Sequence, residues 1–500
     1  MSASGNPILL RNGLLLIHDS DGHVRPRRSD ILIEGDRIAK IDDNIETSAE
    51  DVRVIDCEGK IVSPGFISTH HHVWQTQLKG KHANHNLIEY LAIAALCGEF
   101  YSVEDAFWGE LSGALEAIDG GITTVLDHAH LSGHEDHPRA MIQALASSGL
   151  RAVFCYCVPR TVPSMNPVQF MDDYLSPTVL ESWKSLRTLT GATNDRVQLG
   201  FSADNMYLPQ EELKKLFHEL RTAGAKIITS HGTSGIAFNN APSVLQILEH
   251  HGLLGSDVLV SHATFPKETD ARALKEHNVS ISTTPNTELQ MGTPPLALHP
   301  DFERNASLGL DCHSWGVSYM PDQMRMLLQH ARNERAAELR DSGKWSRLTG
   351  FSAEQVFNLG TISGAKAMGM AGEVGQIASG AKADLVIFGT TSPTMLAAAE
   401  EDPVAAIVLH SSVRDVETVI VNGVVRKDGG ELLPVAVAKG VLGPDDFGFE
   451  GTSLHWDAIA KAVLKSRHRI MEKFGGLDLP SVVKDLMAVA HMNVEALVEK

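Results

Sequence analysis

The sequence predicts an α/β protein, a (β/α)8 TIM barrel with a small composite β-sandwich domain, on three observations. Eight short β-branched runs alternate with helical stretches through the middle of the chain, the number of strand and helix units that closes such a barrel. The first sixty residues or so read as short strands separated by turns. A second strand-rich stretch follows the barrel, and because neither set has enough strands to bury a face alone, the two are expected to pack together.

The opening strands are expected at 8–10, 13–17, 30–34, 37–41 and 52–56. The barrel strands are expected at 61–69, 123–127, 151–158, 197–202, 226–230, 258–261, 279–283 and 307–310, with helices such as 106–119, 210–224 and 243–252 between them. Strand character returns at 383–388 and 417–425, where Asn422-Gly423 supplies a tight turn. Helical patterns at 456–474 and 481–498 end the chain. The expected division is 1–63 and 376–435 for the two parts of the small β domain, 64–375 for the barrel and 436–500 for a C-terminal helical extension.

Hydrophobic residues at 43% and charged residues at 21% match a folded globular protein. A net charge of -19 argues against nucleic acid and anionic membranes as partners and leaves a small-molecule substrate. No run approaches the roughly 18 apolar residues of a membrane helix. No basic segment precedes the early apolar runs as in a signal peptide. Five cysteines, an odd and sparse set, suit a reducing, cytoplasmic setting.

Chemistry concentrates where expected strands end. In Ser68-Thr69-His70-His71-His72 the strand period of two puts His70 and His72 on one face and turns His71 away. His231 closes the fifth run and Asp311 the eighth. Three imidazoles and a carboxylate at C-terminal strand ends can hold a divalent ion and leave a place for water, whose pKa then falls toward neutrality. Asp311 is also placed to take that water's proton. His262, after the sixth run, is expected as a catalytic group that orients the nucleophile or stabilises charge.

The ordered set of motifs resembles the amidohydrolase superfamily, in the branch that holds cytosine deaminase, S-adenosylhomocysteine deaminase and the triazine hydrolases. The motifs are Pro64-Gly65-Phe66 before His70-x-His72, the stretch from Gly121 to His128, single His231 and His262, and Asp311 after Leu308-Gly309-Leu310. Ala378 to Val386 and Val421-Asn422-Gly423 look like that family's return to its small domain. The resemblance implies His70, His72, His231 and Asp311 as metal ligands, with His262 and Asp311 catalytic. It implies hydrolysis of a carbon–nitrogen bond other than a peptide in a small heterocyclic or amide-like substrate, by attack of metal-activated hydroxide. Halide or thiolate displacement, nucleobase or nucleoside deamination and a catalytically silent scaffold are the alternatives.

Relatives with two ions bridge them by a Lys on the fourth strand, and 196–204 contains none, so one ion is expected, zinc ahead of iron. Asp127, His128 and His130 are the candidates for a second. Substrate contacts are expected from Trp74, Gln75, Ser234, Asn286, Glu288 and His313, with Trp315 a ring to stack on. Fold analogy points to a homodimer or larger homo-oligomer. One departure stands out: ring-deaminating relatives carry Glu three residues after the fifth-strand His, and here that residue is Ser234. A hydroxyl is too weak an acid to protonate a leaving amine directly, although it could relay through His313. Poor activity on cytosine, guanine and adenosine follows, with better activity on amides, lactams or substituted triazines.

Overall fold

The computed structural model describes residues 6–47, 51–158, 160–165, 167–172, 177–191, 193, 195–204, 206, 208–438 and 452–498. The chain opens with β1 (Ile8–His18), β2 (Val24–Glu34), β3 (Arg37–Asp42), β4 (Arg53–Asp56) and β5 (Ile61–Pro64). The two runs expected at 8–10 and 13–17 are one strand, bent where its register against β2 slips between Leu10 and Gly13 and Asn12 takes φ +60°. The bend lets the first half of β1 pair with β4 and the second half with β5.

The barrel strands are β6 (Phe66–His72), β7 (Ile122–Ala129) and β8 (Arg151–Cys157), then, after a hairpin of β9 (Arg160–Met165) and β10 (Val168–Asp172), β11 (Val197–Ser202), β12 (Ile228–His231), β13 (Val258–Ser261), β14 (Ser280–Thr283), β15 (Ala306–Leu308) and β16 (Asp311–Cys312). All barrel pairings are parallel, and β16 returns to β6 through Asp311 opposite His71, which closes the ring. β15 and β16 together are the eighth strand. Finally β17 (Leu385–Phe388), β18 (Val416–Val421), β19 (Val424–Asp428) and β20 (Glu431–Leu432) join β1–β5 in one nine-stranded sheet, with β17 between β5 and β18. The chain is therefore an α/β barrel with an added β domain built from both flanks.

Three expected elements are broken. The run 61–69 divides at Gly65 into β5 and β6, because the chain leaves the small sheet there and a Cβ on Gly65 would lie 2.1 Å from Thr123 Oγ1. The run 307–310 stops at Gly309, where a Cβ would meet Ser282 Oγ at 2.7 Å and the His70 carbonyl at 2.8 Å. The helix expected over 481–498 is Leu479–Val489 plus a short 3-10 turn, Val494–Ala496, since His491 takes φ +50° and ends it.

Ile67, Leu126, Val153, Cys155, Ile227 and Leu259 fill the lower barrel with Met368, Met370 and Val374. The upper half, at the strands' C-terminal ends, is thereby left to polar groups. Below, Arg151 at the start of β8 bonds Asp384 through Nε (2.8 Å) and Nη2 (3.2 Å) and Asn422 at 2.7 Å, fastening the barrel to the small domain. The helix Trp456–Gly475 packs on helix Val103–Asp119 and on the 3-10 turn Val73–Leu78. There Arg467 donates to the Gln77 and Lys79 carbonyls. No helix among the described residues is long and apolar enough to cross a membrane.

Candidate metal centre and active site

Strand β6, which carries His70 and His72, is shaped by a bulge. Ile67 points into the barrel core, and Thr69 also points inward, with its hydroxyl bonded to Ser282 Oγ (2.7 Å), Ser307 Oγ (2.8 Å) and the Leu308 carbonyl. Unbroken alternation would turn His70 and His72 out toward the helices. The register of β6 on β7 slips between Ser68 and His71, which resets the faces so that His70 and His72 point in and His71 out.

Each inward imidazole has its Nδ1 engaged. His70 Nδ1 bonds Ser261 Oγ (2.8 Å), His72 Nδ1 donates to the His128 carbonyl (2.7 Å) and His231 Nδ1 donates to Asp204 Oδ2 (3.2 Å). The Nε2 atoms are thus left to converge. His70 Nε2 and His72 Nε2 each lie 3.3 Å from Asp311 Oδ1, and His231 Nε2 lies 3.3 Å from His72 Nε2. Bonds of about 2.0–2.1 Å from a tetrahedral zinc separate its ligands by about 3.3–3.4 Å, so the donor set fits that ion. His70 Nε2 is also buried without a hydrogen bond. Burial holds the His70 ring well below its usual pKa and so neutral, the form that ligates.

Asp311 sits at the end of the eighth strand with φ +63°, a left-handed conformation enforced by its surroundings. Burial would raise its carboxyl, but the adjoining His70 and His72 imidazoles, each 3.3 Å away, hold it well below the carboxylate range. Its Oδ2 accepts from the Thr287 hydroxyl (2.6 Å), which in turn accepts from Trp315 Nε1 (2.9 Å). His262, also left-handed at φ +67°, has Nδ1 2.9 Å from Thr284 Oγ1 and 3.5 Å from Glu288 Oε1. Burial lowers the His262 pKa, but Glu288 and the negative charges of Asp311 and Asp204 together outweigh it and the net shift is upward. One donor atom each of His70, His262 and Asp311 lies within 4.8 Å of the others.

The other expected contacts are dispersed. Glu288 is buried beside His262 and accepts from the Thr284 backbone (2.9 Å). Trp74 is buried against the rings of Tyr101 and His130. Gln75 is buried with its amide on Tyr90 and Ser314. Asn286 is half-buried and bonds the Trp315 carbonyl (3.3 Å). The Ser234 hydroxyl is committed to the carbonyls of Thr264 (2.7 Å) and Phe265 (3.2 Å). His313 lies outside the barrel, its ring tilted against His71 and its Nδ1 2.9 Å from Glu116, so a relay from Ser234 through it has no path.

The strand-two trio also separates. Asp127 turns outward and accepts from the Val73 amide (3.3 Å), His130 stacks on His72 at 3.9 Å, and His128 has a donor atom within 4.8 Å of those of His70 and His231. Ser261, Asp204, Thr287 and Thr284, which orient the principal groups, escape sequence reasoning because hydroxyls and a loop carboxylate are too common to stand out.

The amidohydrolase family model matches residues 61–426, most of the chain. The chain belongs to the amidohydrolase family. It is 28% identical over 434 residues to the 5-methylthioadenosine/S-adenosylhomocysteine deaminase of Thermococcus onnurineus strain NA1, covering 83% of this chain and 93% of that relative. It is 27% identical over 421 residues to the 5'-deoxyadenosine deaminase of Methanothermobacter thermautotrophicus, covering 81% and 91%. In fold it is similar to a variant of atrazine chlorohydrolase from Arthrobacter aurescens TC1 complexed with zinc and atraton, with TM-score 0.74, 17% identity and coverage of 92% and 100%. It is equally similar to a zinc-bound adenosine deaminase from Xanthomonas campestris, with TM-score 0.74, 16% identity and coverage of 93% and 98%. This amidohydrolase is accordingly a metal-dependent enzyme of carbon–nitrogen hydrolysis, of the deaminase type.

Proposed function

We propose that this amidohydrolase holds one zinc ion on His70, His72, His231 and Asp311 and releases an amine from a small, already electrophilic nitrogen compound. The observation that carries the reading is the convergence of three Nε2 atoms and Asp311 Oδ1, with every Nδ1 tied back. A divalent ion there supplies Lewis acidity and lowers the pKa of water.

The chain's own residues handle the protons. Asp311, steadied at Oδ2 by Thr287, is the base at the ligand cluster. His262 has Nδ1 held by Thr284 and Glu288, which leaves Nε2 to carry a proton toward the leaving nitrogen. The Ser234 hydroxyl is occupied by two carbonyls and does not take the place of a carboxylic acid. With only an imidazole for that step, leaving groups that need little protonation are favoured: amides, lactams and substituted triazines over adenosine-type amines. The same reading sets the enzyme in the cytoplasm as a homo-oligomer, on its cysteine usage and fold analogy.

Amine release from zinc-loaded enzyme tests this on two groups of compounds. One is 5'-methylthioadenosine, S-adenosylhomocysteine and 5'-deoxyadenosine, and the other is substituted triazines, lactams and amides. Turnover of the second group, with kcat/KM below about 10⁴ M⁻¹s⁻¹ on the first, is expected, that value lying at the low end of the ordinary enzyme range. Adenosine compounds hydrolysed faster than all others would overturn the substrate preference, and loss of no activity on His70→Ala would overturn the metal assignment.

A further inference from the structure

We propose that His128, Cys157 and Asp204 form a second cation site of zinc type beside the first. They come from the ends of neighbouring elements, β7, β8 and the loop just after β11. One donor atom from each lies within 4.8 Å of the other two. His128 Nε2 and Asp204 Oδ2 are 2.9 Å apart, and His128 Nδ1 is buried with no hydrogen bond among the described residues. Alternation from the core explains the orientation of the other two: Leu126 and then His128 on β7, and Val153, Cys155 and then Cys157 on β8, face the barrel axis.

The donor chemistry selects the ion. An imidazole, a thiolate and a carboxylate suit zinc or cobalt, whereas magnesium and calcium require mainly oxygen ligands. Binding is an exchange: the cation forms its bond to Cys157 Sγ as the thiol proton leaves to solvent, and Asp204 supplies a carboxylate oxygen. Burial of His128 and Cys157 gives the site a dry wall, and the Asp204 side chain, a quarter exposed, gives it an entry.

Asp204 also sets the order of filling. Its Oδ2 accepts from His231 Nδ1 (3.2 Å) and its Oδ1 from the His231 backbone amide (2.9 Å), so one carboxylate serves both centres. The second site has three protein donors and must share one of them, whereas the first has four. It therefore fills only after the first, at higher free metal. The order of filling rests on the four-ligand site proposed above, whereas the second site is read from the thiolate band itself, whatever reaction the enzyme catalyses.

The test is a cobalt titration of metal-stripped full-length protein. The first equivalent should give ligand-field absorption without a thiolate signature, since no cysteine is among its ligands. The second should bring a thiolate-to-cobalt charge-transfer band in the near ultraviolet. Cys157→Ser should lose that band and weaken the second equivalent by about tenfold or more, the scale of losing a supporting group, with the first equivalent retained. Cys157→Ala, checked by circular dichroism, guards against a folding defect of the first variant. A single equivalent at all cobalt concentrations, a second equivalent without the band, or a band that survives in both variants would each overturn the site.

Discussion

Asp311 has one oxygen at the ligand cluster and the other on a hydroxyl, so its two functions separate by substitution. Asp311→Asn keeps an oxygen for the ion but cannot take a proton. We expect kcat to fall by about 10²-fold or more, in the range of a lost general base, while metal content falls less than in His70→Ala. Metal analysis with steady-state kinetics reads both, and normal turnover would remove Asp311 from proton transfer. Thr287 reaches the ligand cluster through Asp311. Thr287→Val should lower kcat by about tenfold or more with little change in KM, the loss of a hydrogen bond to a charged group being about 1.5–3 kcal/mol. Thr287→Ser should restore most of it, and equal losses in the two variants would point to packing instead.

At the scale of elements, helix Val103–Asp119 and strand β7 meet through two buried carboxyl groups, Glu110 and Asp127. Burial raises both above their ordinary values of 4.5 and 3.8. In the unfolded chain they ionise once the pH passes those values, while in the fold they keep their protons longer. Their contribution to stability is therefore full at lower pH and lost as the pH rises through the raised folded values. Glu110→Gln with Asp127→Asn should flatten the fall in melting temperature as the pH is raised from about 4 toward neutrality, and an unchanged slope would show that the pair does not ionise on unfolding.

Much at this scale was legible in the sequence. All eight barrel runs were visible because parallel strands buried on both faces are continuous apolar stretches. His70, His72, His231, His262 and Asp311 were visible because they end those runs. The interruptions were not. The bulge at Thr69–His70 answers to hydroxyls on β14 and β15, more than two hundred residues away, and the breaks at Gly65 and Gly309 answer to Thr123 and to Ser282 with the His70 backbone. Local pattern carries no record of such partners. For the same reason Asp127-His128-x-His130 read as one cluster, although the strand period sends Asp127 and His128 to opposite faces and pairs His128 with residues of β8 and the loop after β11.

At the scale of the whole molecule, the barrel and the small domain are joined by the almost wholly buried pair Arg151 and Asp384. Asp384→Ala leaves a guanidinium without its partner in that interface and should cost about 3–5 kcal/mol, read as a lower urea midpoint and melting temperature. Pairing Arg151→Met with Asp384→Leu should recover a large part, and no recovery would mean that the Asn422 contact or the strand turn carries the stability instead. The nine-stranded sheet has a further consequence, for the order of events during synthesis. β5 finds its second neighbour only when β17 arrives, about 320 residues later, and at about 5–20 residues per second the ribosome takes roughly 16–64 s to deliver it. Throughout that interval the nascent chain carries an open, apolar strand edge directly ahead of His70 and His72, so the amino-terminal flank is where chaperone protection is most needed.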